Sequence, residues 1–262
     1  MKAEPTRAQA MAEYLWRARV KREAYRNLPA ELTPASFREA YEGQEAYYRL
    51  AEPFYGAVAG AKIATTTKVM QELMGIPHPC GGAIFARTIH ASPSRIKAAD
   101  FVNLRIECEI ALHLGQPLLS TLAPWNRESV MPSVIAAMPA YELIEDRNAV
   151  YRETDARSMI VDNCWNGGIV VGDDPDPDEP LPDLVSIAGR LEMNGKLVAE
   201  GRAEDPYATL AWLANLVAER GRSLDAGMTV ITGSIVATLS IAPGDRAVFT
   251  VDGLGEAVLE VV

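Results

Sequence analysis

The stretch LRIECEIALHL, residues 104 to 114, is an apolar run that carries Glu107 and Glu109 with only Cys108 between them. Side chains alternate faces along a β-strand, so residues two apart share a face. Counting from Val102, the even positions are Val102, Leu104, Ile106, Cys108, Ile110, Leu112 and Leu114, all apolar. The odd positions are Asn103, Arg105, Glu107, Glu109, Ala111 and His113, mostly polar. This period of two predicts one long strand with a single buried face. The two glutamates then stand side by side on the other face, their Cα atoms roughly 6.5–7 Å apart. Two readings follow. That face is either the solvated side of an antiparallel sheet, or a place where carboxylates converge on a cation.

Working outward, 262 residues suffice to bury a substantial core as one large domain or two small ones. The net charge of −10 argues against nucleic acid as a partner, since phosphates demand a basic surface. The opening MKAEPTRAQAMAEYLWRARVKREAY has no uninterrupted apolar core after its first charges, so it does not read as a secretory signal. No later segment approaches the roughly 18–20 apolar residues of a membrane span. Cys80, Cys108 and Cys164 are odd in number and far apart, which implies neither a zinc pattern nor a disulfide framework. A reducing, cytoplasmic setting is the expectation.

Residues 6 to 27 place Ala8, Met11, Leu15, Ala18 and Tyr25 at helical spacing, with Pro29 as the stop. Thr33 and Pro34 suit the start of a second helix running to about Leu50. Its aromatic residues Phe37, Tyr41, Tyr47 and Tyr48 are expected to pack against the body. AKIATTT reads as a short strand and TKVMQELMG as a short helix closed by Gly75. IPHPCGGAIF, dense in Pro and Gly, reads as a loop. From residue 88 onward strand patterning dominates, except for a helix over 207 to 221. The acidic GDDPDPDEPLPD at 172 to 183 reads as a surface excursion between strands. Without regular βαβ alternation, the fold class is α+β rather than a doubly wound sheet.

Several chemistries drop out. There is no Walker loop, and the GLG near 253 precedes strand-like rather than helical sequence. There is no G-x-S-x-G elbow. His78, His90 and His113 lack metal-binding spacing. A third carboxylate is available in MPAYELIEDR, 138 to 147, where Glu142 sits in a short apolar segment that also reads as strand. Glu145 and Asp146 follow it, so a plain charged edge stays open. Three carboxylates with water completing an octahedron would suit a hard ion such as Mg²⁺ or Mn²⁺.

With these pieces in order, the chain resembles the 2-keto-4-pentenoate hydratase branch of the fumarylacetoacetate hydrolase superfamily. The resemblance runs through SFREAYEGQEAYYRLAE, GAKIATTTKVMQELMGI, GGAIF, RIECEIALHL, MPAYELIEDR, DNCWNGGIVVG, LAWLANLVAERGRSLDAGMTVITGS and the closing PGD. It implies a mixed β-roll with peripheral helices, residues 1–262 forming one hydratase-like domain. Residues 1–55 would be a helical N-terminal region and 56–262 the β-roll body. It also implies a homo-oligomer, a dimer or a ring of dimers, and association with a decarboxylase partner. The implied reaction converts a 2-hydroxy-2,4-dienoate to its 2-oxo tautomer and adds water to the remaining double bond. The implied metal ligands are Glu107, Glu109 and Glu142, holding Mg²⁺ or Mn²⁺. The implied catalytic lysine is Lys62, with a pKa lowered by burial beside the cation. Cys80, Gly82, Trp165, Gly233 and Ser234 fall at substrate-binding positions.

Two departures from the family pattern bear on specificity. Pro79 is followed by Cys80 and Gly81, where an acidic residue and then an aromatic are common. Asn163 is followed by Cys164, Trp165 and Asn166, where small residues including serine are common. Trp165 would either line the pocket with Cys80 or fill core. Decarboxylation or tautomerisation of a related 2-oxo acid on the same metal site is an alternative. So is a non-catalytic protein that binds a 2-oxo acid or a partner subunit. C–C bond hydrolysis is disfavoured for want of a His–Glu pair in a lid segment.

Overall fold

The computed structural model describes residues 4–173 and 180–262. Residues 174–179 of the acidic excursion expected at 172–183 lie outside the described residues. The helices are α1 (Arg7–Val20), α2 (Phe37–Tyr55), α3 (Lys68–Met74), α4 (Arg127–Val130), α5 (Ala156–Val161) and α6 (Pro206–Ala218). Among the described residues, no helix is long and apolar enough to cross a membrane.

The strands, in chain order, are β1 (Val58–Ala64), β2 (Cys80–Phe85), β3 (Ile89–Ala91), β4 (Ser94–Ile96), β5 (Leu104–Leu114), β6 (Val134–Glu145) and β7 (Asn166–Val171). They continue with β8 (Ala188–Met193), β9 (Lys196–Arg202), β10 (Thr229–Ile231), β11 (Leu239–Ser240), β12 (Arg246–Val251) and β13 (Gly255–Val261). One sheet has the order β2-β1-β10-β5-β6-β7-β3, with β11 pairing onto β5. The other runs β4-β13-β12-β8-β9. Parallel and antiparallel pairings mix: β10 is parallel to β1 and antiparallel to β5.

The larger sheet curls. Although β2 and β7 are separated by four strands, Asn163, just before β7, bonds both the N–H and the C=O of Ala83 on β2. The alternation read from the sequence explains both sides of that curl. The even residues Ile106, Cys108, Ile110 and Leu112 of β5 pack in one core with Leu191, Phe249 and Leu259 of the second sheet and Leu210 of α6. The odd face turns inward, where Ala111 joins Ile84, Ile169 and Ile231 in a small apolar cluster at one end of the concavity.

Local expectations needed four adjustments. The first helix stops at Val20 rather than near 27, because Arg22 turns left-handed and the chain leaves to bond Tyr25 N–H to Arg147 C=O at 2.8 Å. The second helix is capped by Ser36 instead of Thr33 and continues to Tyr55, with Pro53 tolerated in its last turn. The 207 to 221 helix begins at Pro206 and ends at Ala218. The Gly-rich segment is not all loop: Cys80–Phe85 is a fully buried strand. Its glycines mark close approaches rather than turns. A Cβ on Gly81 would lie 2.8 Å from Leu216, and one on Gly82 would lie 2.8 Å from Asn163 Oδ1. Tyr41, Tyr47 and Tyr48 are buried against the body, as their helical spacing implies.

Candidate metal centre

Strands β5 and β6 are antiparallel with Glu107 paired directly to Glu142. Glu109 is two residues along the same face, so the three carboxylates enter the concavity of the curled sheet. One oxygen from each lies within 4.8 Å of the others, and this is the one such group of three or more potential ligands among the described residues. Glu109 and Glu142 are fully buried, while Glu107 is partly exposed. The solvated-face reading of the odd positions therefore gives way: curling turns that face inward.

Each carboxylate has its own anchor. Asn166 Nδ2 donates to Glu142 Oε1 at 2.8 Å. Gly233 N–H donates to Glu109 Oε2 at 2.6 Å, from a backbone with φ of 100° that glycine adopts without strain. Thr238 Oγ1 donates to Glu107. Lys62 points from β1 into the same space, its Nζ 3.0 Å from Glu142 Oε1. By contrast, Glu145 and Asp146, the other acids of that stretch, are taken up elsewhere. Glu145 accepts from the backbone of Val102 and Asn103, and Asp146 from Asn103 and Tyr151.

The donor set fits a hard dication. Three clustered carboxylates face one ammonium, and two of the three are fully buried, where uncompensated negative charge is costly. Glu109 Oε1 is buried with no hydrogen-bond partner. Burial, then the charges of Glu142 and Glu107, push the Glu109 carboxyl far above the ordinary carboxylate range. Burial also raises Glu142, though Lys62 opposes it. A divalent cation among these oxygens would remove the repulsion and supply the missing partner.

Burial, the largest single influence on Lys62, would lower its pKa, but Glu142, Cys164 and Glu107 together outweigh it and hold the ammonium above its ordinary value. The other expected positions scatter. Gly82 pairs directly with Lys62 across β1 and β2. Cys80 is buried two residues away, its Sγ 3.4 Å from Thr65 Oγ1. Ser234 Oγ donates to Val236 C=O at 2.6 Å, tying its own loop. Trp165 stands among buried apolar residues, its ring 5.1 Å from that of Tyr25 and 5.2 Å from that of Tyr151. Asn166 and Thr238, which hold two of the carboxylates, were not singled out from the sequence. An asparagine opening the apolar strand NGGIVV was the available signal for the first; nothing in the local pattern marks the second.

Comparison with known proteins places this geometry. Residues 61–262 match the family described as fumarylacetoacetate (FAA) hydrolase C-terminal. The chain is 26% identical to a 4-oxalocrotonate decarboxylase of Pseudomonas putida, with 94% of this chain and 93% of that protein covered. It is 30% identical to a 2-oxo-hept-4-ene-1,7-dioate hydratase of Escherichia coli, covering 90% of each. Among solved structures, the 4-oxalocrotonate decarboxylase of Pseudomonas putida G7, complexed with magnesium and adipate, superposes with a TM-score of 0.89. That match has 25% identity and covers 100% of both chains. A fold of mixed sheets with a curled half-barrel, and a sequence match over most of the chain, lead to one assignment: this chain belongs to the fumarylacetoacetate hydrolase family.

Proposed function

We propose that the protein is a divalent-metal-dependent hydro-lyase that adds water to a 2-hydroxy-2,4-dienoate, through its 2-oxo tautomer, to give a 4-hydroxy-2-oxo acid. The observation that carries this reading is the inward-facing triad Glu107, Glu109 and Glu142 with Lys62 in contact with one member. Mg²⁺ or Mn²⁺ held there would act as a Lewis acid toward the adjacent carboxylate and keto oxygens of a 2-oxo acid and offset enolate charge.

The chain's own groups supply the rest. Asn166, Gly233 and Thr238 fix the three carboxylates from outside, so the ligand geometry is set before substrate arrives. Lys62 is an ammonium in this cage, and so enters as a proton donor and a counter-charge for an anionic substrate. Proton return to the lysine is then the step that needs Glu142 close by, because that carboxylate favours the charged form.

Decarboxylation of a related 2-oxo acid on the same residues is the second reading. It is favoured by the full-length similarity to decarboxylases as well as hydratases. Purified protein given 2-hydroxypenta-2,4-dienoate, with Mg²⁺ or with EDTA, separates them. Loss of the dienoate absorbance with a hydrated product by mass supports hydration. Carbon dioxide release from an oxalocrotonate supports the second reading. Demonstrable metal binding with neither reaction would overturn both and leave a binding role.

A further inference from the structure

Two backbone irregularities converge on one pair of sulfur atoms. Asn163, Cys164 and Trp165 all have positive φ, at 55°, 47° and 61°. Each such residue is sterically disfavoured, and three in succession persist only where the surroundings over-determine them. Here the clamp is Asn163, which accepts from Ala83 N–H at 2.7 Å and donates to Ala83 C=O at 2.9 Å. The turn presses against β2, where a Cβ on Gly82 would meet the Asn163 carbonyl oxygen at 3.0 Å. Thr65 is also left-handed, with φ of 56°, which is rare for a β-branched residue.

Both irregularities serve the same place. The Thr65 hydroxyl touches Cys80 Sγ, and Cys164 Sγ lies 3.4 Å from the carbonyl of Gly81, the residue after Cys80. Both thiols belong to one buried cluster, where β2 meets the left-handed turn. Cys108, the remaining cysteine, is apart from them in the apolar core between the sheets. Both Cys80 and Cys164 are buried, but Thr65, in contact with Cys80, is partly exposed, so the pair lies one side chain from solvent.

We infer that Cys80 and Cys164 form a redox-active dithiol, a modification site that hydrogen peroxide converts to an internal disulfide. Cys80, as thiolate, attacks one peroxide oxygen and the O–O bond breaks. This leaves a sulfenic acid on Cys80, and the departing hydroxide combines with the thiol's proton as water. The Cys164 sulfur then attacks the Cys80 sulfur, the S–O bond breaks, and hydroxide leaves with the Cys164 proton as a second water. Two thiols are oxidised and one peroxide is reduced to two waters. The environments are asymmetric in the required sense. Contact with Cys164, then Thr65 and Lys62, lowers the Cys80 thiol despite burial, while contact with Cys80 and burial raise Cys164. The attacking thiolate is assigned to Cys80 because its sulfur touches the partly exposed Thr65 hydroxyl, whereas the Cys164 sulfur abuts the buried Gly81 carbonyl.

Closure of the bond draws the left-handed turn toward β2. Asn166, two residues beyond Cys164, holds Glu142, so oxidation should also weaken the metal centre; this consequence rests on the functional reading above. The modification itself does not, because it is read by mass rather than turnover. The full chain is treated with a small excess of peroxide and digested without reductant. The expected result is loss of two hydrogen atoms' mass, a peptide linking residues 80 and 164, and reversal by dithiothreitol. The link should be absent from Cys80→Ser and from Cys164→Ser. Three free thiols after treatment, oxygen adducts without a link, or a crosslink joining two chains would overturn the inference. Peptide mapping of the wild type decides the matter even if a serine variant fails to fold.

Discussion

Glu107 and Glu142 occupy directly opposed positions on adjacent antiparallel strands, and both face into the concavity of a curled sheet. Opposed like charges destabilise a strand pair. Here the repulsion is deepened by a third carboxylate, Glu109, which has neither solvent nor a partner for one oxygen. The site is therefore strained electrostatically until a cation enters it, and that strain is measurable.

Replacing Glu109 with Gln removes one buried negative charge while leaving an oxygen to accept from Gly233 N–H. Metal-free Glu109→Gln is expected to be more stable than metal-free wild type, with a higher melting temperature in EDTA. Its affinity for Mg²⁺ or Mn²⁺ should fall by at least about 10²-fold, since even groups supporting a ligand account for 10–100-fold. Calorimetric titration showing an unchanged affinity would remove Glu109 from the ligand set.

The same charges set a pH dependence. Glu109 and Glu142 have folded-state values raised above those of the unfolded chain, chiefly by burial. A carboxyl raised on folding contributes stability below its unfolded value, about 4.3 for Glu. That contribution is lost as pH rises through the folded value. Metal binding displaces those protons, so it strengthens over the same interval. The increase in melting temperature on adding Mg²⁺ should therefore grow with pH above the unfolded carboxylate range. A metal-induced increase that is flat or shrinks across that interval would contradict the buried, proton-binding triad.

A second buried charge pair ties the end of β6 to the end of α5. Arg147 and Asp162 are both fully buried, with Nη2 and Oδ2 2.9 Å apart, and Arg147 also lies over the Tyr25 ring. Asp162→Ala strands that guanidinium and should cost roughly 3–5 kcal/mol, by the general behaviour of broken buried pairs. The double replacement Arg147→Met with Asp162→Leu should be far milder. Urea unfolding of both variants tests the claim; equal losses would show that packing, not charge, is what the pair provides.

How far the sequence reached follows from what each feature depends on. The β5 strand was legible because its period of two is unbroken from Leu104 to Leu114, although the alternation read from Val102 starts two residues before the strand does. The convergence of Glu107, Glu109 and Glu142 was expected only with the family resemblance in view, because Glu145 and Asp146 beside Glu142 left a plain charged edge open. The direction of the face was not legible, since alternation reports two faces but not which way a sheet curls. The strand Cys80–Phe85 was read as loop because Gly and Pro signal turns, whereas these glycines accommodate Leu216 and Asn163. The pairing of Lys62 with Glu142 was not legible, because the two residues lie 80 positions apart in sequence. Long-range pairing of that kind leaves no local trace.

Lys62 offers the sharpest test, because its two roles predict opposite signs. Its ammonium occupies Glu142 Oε1 at 3.0 Å and so competes with a cation for the same carboxylate. Lys62→Met keeps the apolar stem that β1 buries but removes the charge and the proton. Metal affinity should therefore rise or hold, since the competing positive charge is gone. Turnover should fall by about 10²–10⁴-fold, the usual share of a positioned proton-transfer group. In EDTA the variant should melt below wild type, because Glu142 loses its compensating charge, and added Mg²⁺ should recover most of that loss. Calorimetry, a melting curve with and without Mg²⁺, and a rate on the dienoate give three separate readings. Tighter metal binding with unimpaired turnover would leave Lys62 a counter-ion and send the search for the proton carrier elsewhere in the concavity. Weaker metal binding would mean that the lysine organises the carboxylates rather than competing for them.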